Sequence, residues 1–131
     1  QGGVQVQRYD IISGAKDPEL YQAERYGNFT YAIPVVSEGR YTANLHFCEN
    51  WFGPGRPGRF GEGARIFDVY YNGRALLRNF DIFKRAGGAL KPVVETFHNL
   101  EPNAQGKLVF QFVPVENYAA VNAIEILDEG R

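Results

Sequence analysis

The chain has 131 residues, 14 lysines and arginines against 15 aspartates and glutamates, and a formal net charge of -1. So even a balance excludes the broad basic field that duplex nucleic acid requires, because such binding is dominated by phosphate neutralisation, and it gives no attraction to an anionic membrane surface. The single cysteine, Cys48, rules out an intramolecular disulfide framework and any cysteine-based metal cluster.

Size scaling makes residues 1–131 one domain that buries roughly two thirds of its unfolded surface. No apolar run approaches the ~20 residues that span a bilayer, and the first thirty residues lack a basic start followed by an apolar stretch. The abrupt start at Gln1-Gly2-Gly3 fits a mature or excised piece of something longer, so composition leaves localisation open.

Taken in chain order, Asp17 to Arg25 offers an N-cap, a proline at the first helical position and good helix formers, which predicts a short helix. Period-two alternation follows: Phe29, Tyr31 and Ile33 share one strand face, then Tyr41, Ala43, Leu45 and Phe47, then Phe67, Val69 and Tyr71. Asn72-Gly73 between two such runs is a strong hairpin signal, since both turn residues must accept positive φ, and it places Leu76 and Leu77 on the return strand. Val93 to Phe97, Leu108 to Val113 and Val121 to Leu127 read as further strands, separated by Gly, Pro and Asn clusters. Strands this closely spaced predict an all-β, antiparallel sandwich. Between the second and third alternating runs, Gly53 to Ala64 is too long and glycine-rich for a routine hairpin turn, which marks a functional or merely mobile loop.

Catalytic parts are scarce: two serines (Ser13, Ser37), two histidines (His46, His98) and Cys48. His46 and Cys48 point the same way on one strand but lack an evident third orienting group, so a small buried thiol beside a surface histidine is favoured over a dyad. A glycosidase needs two opposed carboxylates, and no spacing singles out a pair. Glu49 and Asp68 sit in apolar strand contexts, where a carboxylate more often satisfies loop amides or pairs with an arginine such as Arg25 or Arg65. Arg56, Arg59 and Arg65 read first as a solvated flexible loop and second as a site for an acidic glycan substituent. Nothing calls for a cofactor, and loop oxygens near Asn122 and Asp128 form no recognisable calcium site.

Sugar binding asks for flat rings against which a pyranose face can stack, with planar polar groups for its hydroxyls. Candidate rings near turns or strand ends are Tyr9, Tyr21, Tyr26, Trp51, Phe52, Phe60 and Tyr118. Trp51 and Phe52 stand out, because two adjacent large rings at the mouth of a loop need a core or a ligand to cover them. The same patch would equally serve a protein-interaction or structural domain.

The chain resembles the malectin family, carbohydrate-binding domains found in endoplasmic reticulum proteins, plant receptor ectodomains and, as appendages, bacterial glycoside hydrolases. The resemblance runs through Leu20 to Gly27, Phe29 to Val35, Gly39 to Tyr41, Leu45 to Glu49, Ile66 to Val69, Asn72-Gly73, Phe80 to Phe83 and Ala120 to Ile126. It implies a jelly-roll-like β-sandwich, non-catalytic, with a glycan site on loops at one end and an oligosaccharide or polysaccharide ligand of glucan or galactan type. It also implies a secreted or periplasmic setting, beside an attached glycoside hydrolase domain. The family's site roles carry to Tyr26, Trp51 and Phe52, with Trp51 standing where the family has a tyrosine. The family's aspartate falls near Asn117, its first aromatic either corresponds to Tyr9 or is absent here, and Phe60 and Tyr118 complete the candidate set.

Overall fold

The computed structural model describes residues 2–7, 21, 23–36, 38–58 and 60–130. Among these residues nine strands and one short helix follow in order: β1 (Gly2–Gln7), β2 (Ala23–Pro34), β3 (Arg40–Cys48), β4 (Ile66–Tyr71), β5 (Arg74–Phe80), α1 (Ile82–Ala86), β6 (Pro92–Leu100), β7 (Lys107–Glu116), β8 (Ala119–Val121) and β9 (Ala123–Gly130). One sheet runs β1-β2-β7-β4-β5, with β8 also paired to β2, and the other runs β6-β3-β9. The strand pairs are antiparallel, so the predicted all-β sandwich is the observed architecture.

The alternating residues supply the layer between the sheets. Phe29 on β2 lies directly opposite Phe112 on β7, and their rings stack 4.7 Å apart. Phe47 of the smaller sheet meets Phe67 and Phe80 of the larger at 5.8 and 4.9 Å, which joins the two sheets through aromatic contacts. Asn72 and Gly73 take φ of 46° and 85° in the two-residue turn between β4 and β5, as the hairpin requires.

Several elements depart from the sequence reading. Ala23, Glu24 and Arg25 are not helical: they pair with β1 on one side, and Arg25 pairs with β8 on the other. Ladder hydrogen bonds from two neighbours outweigh the weak helical preference of so short a stretch. Residues 17–20 and 22 of that expected helix lie outside the described residues. The run Val121 to Leu127 is two strands, because the chain changes sheets at Asn122. Its backbone N–H donates to the His46 carbonyl, its Oδ1 accepts from the Cys48 N–H at 2.7 Å, and its Nδ2 donates to the carbonyls of Tyr21 and Ala23. His46 is not a surface residue: Tyr21 covers it, with the Tyr21 hydroxyl 2.9 Å from Nδ1, and its side chain is only 12% exposed. Tyr21 itself is buried beside Cys48, which removes it from the candidate platforms.

Helix α1, unannounced by periodicity, is held by its ends. Asp81 caps the Lys84 N–H, and Gly87 closes it at φ 84° by donating to the Phe83 carbonyl. Asp81 Oδ2 also accepts from the Gly63 N–H at 2.7 Å, tying the glycine-rich loop to the helix. Phe83 is the seat of that loop: a Cβ at Gly61 would lie 2.5 Å from its ring, and one at Gly53 would lie 2.9 Å away. A side chain at either position would displace that ring, and Gly53 also takes φ 133°, a conformation that favours glycine.

The reading of Arg56 and Arg65 as part of a solvated loop is also overturned. Arg56 donates to the Asn50 carbonyl, while Arg65 is buried and donates from Nε to Glu49 Oε1 at 2.8 Å and from Nη2 to Oε2 at 3.2 Å. Arg59 lies outside the described residues. Glu49, 1% exposed, therefore has the arginine partner expected of it, and Asp68 accepts from the Asn79 N–H and the Tyr70 hydroxyl. Replacing Glu49 by Gln strands the buried guanidinium, and denaturant unfolding should show a loss of about 3–5 kcal/mol.

Tyr71 gives a second check. Burial first, and the Glu101 carboxylate second, push its phenol up to about 12. A folded pKa above the unfolded one means that its contribution to stability is complete below about pH 10 and is lost as pH rises through 12. Alkaline titration of tyrosinate absorbance should show one late-ionising tyrosine that Tyr71→Phe removes.

Candidate functional site

A cleft of about 210 Å³ opens at one end of the sandwich, where β7 and β8 part company. Over residues 113–116 the chain pairs with β4, whereas β8 pairs with β2, so the intervening Asn117 and Tyr118 stand out from the sheet. Asn117 adopts φ 56°, a left-handed conformation that asparagine tolerates better than most residues, and its Nδ2 donates to the Ala64 carbonyl at 2.6 Å. That bond commits one of the amide's two N–H donors to the neighbouring loop.

The opposite wall comes from the end of β3. Glu49 Oε2 accepts the backbone N–H groups of Trp51 and Phe52 at 3.1 and 3.2 Å, which turns the chain and sets both rings at the cleft. The Phe52–Gly58 bridge and the Gly58 N–H to Trp51 carbonyl bond (2.8 Å) close this turn. A Cβ at Gly58 would lie 2.4 Å from the Phe52 ring, so the loop hugs the aromatic pair. Trp51 stays 42% exposed, too open for a core residue.

Of the candidate residues, the fold brings Tyr26, Trp51, Phe52, Asn117 and Tyr118 together around this cleft. Tyr26 and Tyr118 are tilted neighbours 5.7 Å apart. Phe60 is not among them: 76% exposed, it lies beside an adjoining cleft. Tyr9 is outside the described residues.

Two further residues line the cleft that the sequence reading left out of the site. Glu24 lies two residues before Tyr26 on β2, and its Oε1 accepts from Asn50 Nδ2 at 3.2 Å. Period two would have placed it there had the segment been read as a strand. Arg65 is the other: its Nη1 donates to the Tyr118 carbonyl at 2.8 Å and its Cζ sits 5.3 Å from the Phe52 ring centroid, a cation–π distance. One arginine thus ties the Glu49 wall to the Tyr118 wall. The cleft offers rings for stacking and polar groups at its margin, and among the described residues no cluster of three or more His, Cys, Asp or Glu is arranged to hold a metal ion.

The malectin domain model matches residues 2–126. Malectin-A of Xenopus laevis is 38% identical over 79 residues, covering 59% of this chain and 26% of that protein. Malectin of Homo sapiens is 36% identical over 79 residues, with 59% and 25% covered. A probable LRR receptor-like serine/threonine-protein kinase of Arabidopsis thaliana is 33% identical over 105 residues, 78% of this chain and 10% of the kinase. The chain thus spans about a quarter of those malectins and a tenth of that kinase. Among solved structures, Bacteroides uniformis β-glucuronidase superposes with a TM-score of 0.80 at 18% identity, over 98% of this chain and 14% of the enzyme. The complex of plant peptide RALF23 with FER and LLG2 gives 0.78 at 17%, over 96% and 39%. At such identities these two likenesses speak for the fold alone, whereas the match over residues 2–126 places the chain in the malectin domain family.

Proposed function

We propose that this non-catalytic malectin domain binds an oligosaccharide or polysaccharide, of glucan or galactan type, in the cleft between Trp51 and Tyr118. The observation that carries the reading is the convergence of Tyr26, Trp51, Phe52 and Tyr118 on one cleft at a sandwich end. Their rings would take the C–H faces of sugar units by stacking, and Asn117 Oδ1 and the Glu24 carboxylate would accept from hydroxyls. Asn117 contributes no charge, so its hydrogen bonds lack the added strength that the family's aspartate would bring.

Affinity in an open site with a few stacked rings falls at about -4 to -7 kcal/mol, roughly millimolar to ten-micromolar. Binding that weak serves best when it is local. The domain would hold an attached bacterial glycoside hydrolase, in a secreted or periplasmic protein, at its polysaccharide and raise effective concentration. The β-glucuronidase that carries a like fold in 14% of its length supports that arrangement. A second reading, a protein-interaction domain on the same rings, draws support from the similar fold in the complex of RALF23 with FER and LLG2.

Calorimetric titration of the chain with gluco-, galacto- and xylo-oligosaccharides separates the two. The glycan reading predicts saturable heat with one series, at least a tenfold loss on Trp51→Ala, and a stability cost of only about 1 kcal/mol for that exposed ring. Absence of heat with every series favours the protein partner instead. Binding untouched by Trp51→Ala removes the cleft from the account.

A further inference from the structure

The cleft described above does not end at Phe52. A second depression, about 380 Å³, lies on the far side of Phe52 and Asn117 and shares both residues with the first. Its other walls are Phe60, Glu62 and Glu116. Phe60, at 76%, has the highest fractional exposure among the large apolar side chains described, and folding alone gives no reason to hold a ring so open.

The segment that presents Phe60 is pinned on its C-terminal side. Gly61 rests on the Phe83 ring with no room for a Cβ, the Ala64 N–H donates to the Gly61 carbonyl at 3.0 Å, and Gly63 is tethered to Asp81. A ring on an anchored segment keeps its place beside the depression without a large entropy cost on binding. Phe52, shared by both depressions, and Phe60 would then offer successive apolar surfaces along one groove.

Charge narrows what fits. Among its lining residues the second depression carries the exposed carboxylates of Glu62 and Glu116 and no cation. In the first cleft the one cation among the lining residues, Arg65, already faces Glu49. Carboxylates accept from sugar hydroxyls, whereas uronate or sulfate groups would meet like charge.

From this we infer that the chain has a second sugar subsite, built on Phe60, Glu62 and Glu116, which extends the Trp51 cleft into a groove for a neutral glycan chain. The inference rests on the glycan reading of that cleft. It predicts a ligand longer than a disaccharide, and it gives the glycine-rich loop the role of carrying the added platform.

The test is a chain-length series on the 131-residue chain: neutral gluco-, galacto- and xylo-oligosaccharides of increasing length from disaccharides upward, and oligogalacturonates as the acidic counterpart, followed by calorimetry. One neutral series should bind roughly three- to tenfold more tightly in its longer members than as the disaccharide, the worth of one added stacking contact. Phe60→Ala should cut that gain to about twofold or less, with circular dichroism confirming the fold. Equal affinity at all lengths, or a gain that survives Phe60→Ala, overturns the second subsite while disaccharide binding keeps the glycan reading. Tighter binding of oligogalacturonates than of the neutral series overturns the neutral-chain assignment. Failure of every series to bind overturns both the groove and the reading beneath it.

Discussion

The aromatic end of this sandwich depends on one buried ion pair. Arg65 and Glu49 bury almost all of their side-chain surface, and each does more than neutralise the other. Glu49 uses one oxygen to gather the N–H groups of Trp51 and Phe52, and Arg65 uses its free edge to hold the Tyr118 carbonyl. A carboxylate and a guanidinium in so dry a place are costly to desolvate, so the pair itself is weak evidence for net stability. What it provides is position: two loops from opposite sheets are locked to one planar fork, and their rings face one cleft.

The rest of the fold serves that placement. The core of Phe29, Phe47, Phe67, Phe110 and Phe112 fixes the two sheets against each other, and Asn122 sets the point at which the chain crosses between them. At the functional end, regular pairing is given up in steps, as β7 leaves β2 and the chain past β3 turns into the glycine-rich loop. Irregular backbone at the edge of a rigid scaffold is where binding groups are commonly carried. Phe83 of α1 extends the scaffold under that loop, which explains why glycines at 53 and 61 are packing requirements rather than signs of slackness.

Much of this was legible in the residues. Strict alternation around Leu45 and Val69 marks core faces because strand side chains have a fixed period of two, and Asn72-Gly73 marks its turn because few residues accept its φ values. The Trp51-Phe52 pair announced an uncovered apolar surface. Other parts were hidden for identifiable reasons. Strand β1 begins with Gly2 and Gly3 at positive φ, which carries no strand propensity, and α1 is too short to show a period. The segment around Glu24 has a local helical preference that only its sheet partners reverse, and this concealed a cleft residue. Arg65 was legible only in part: it stood among the arginines that a buried Glu49 could pair with, yet it also read as loop charge, because local pattern does not say which carboxylate will meet it 16 positions away.

The most direct test of the site is a ¹⁵N-resolved NMR titration of the chain with the oligosaccharide series that binds. The account predicts saturable shifts centred on the amides of Trp51, Phe52, Asn117 and Tyr118, fading along the sandwich toward the Asn72-Gly73 turn. Shifts centred instead on the outward face of the three-stranded sheet, around Asn44, Thr96 and Glu125, would contradict it.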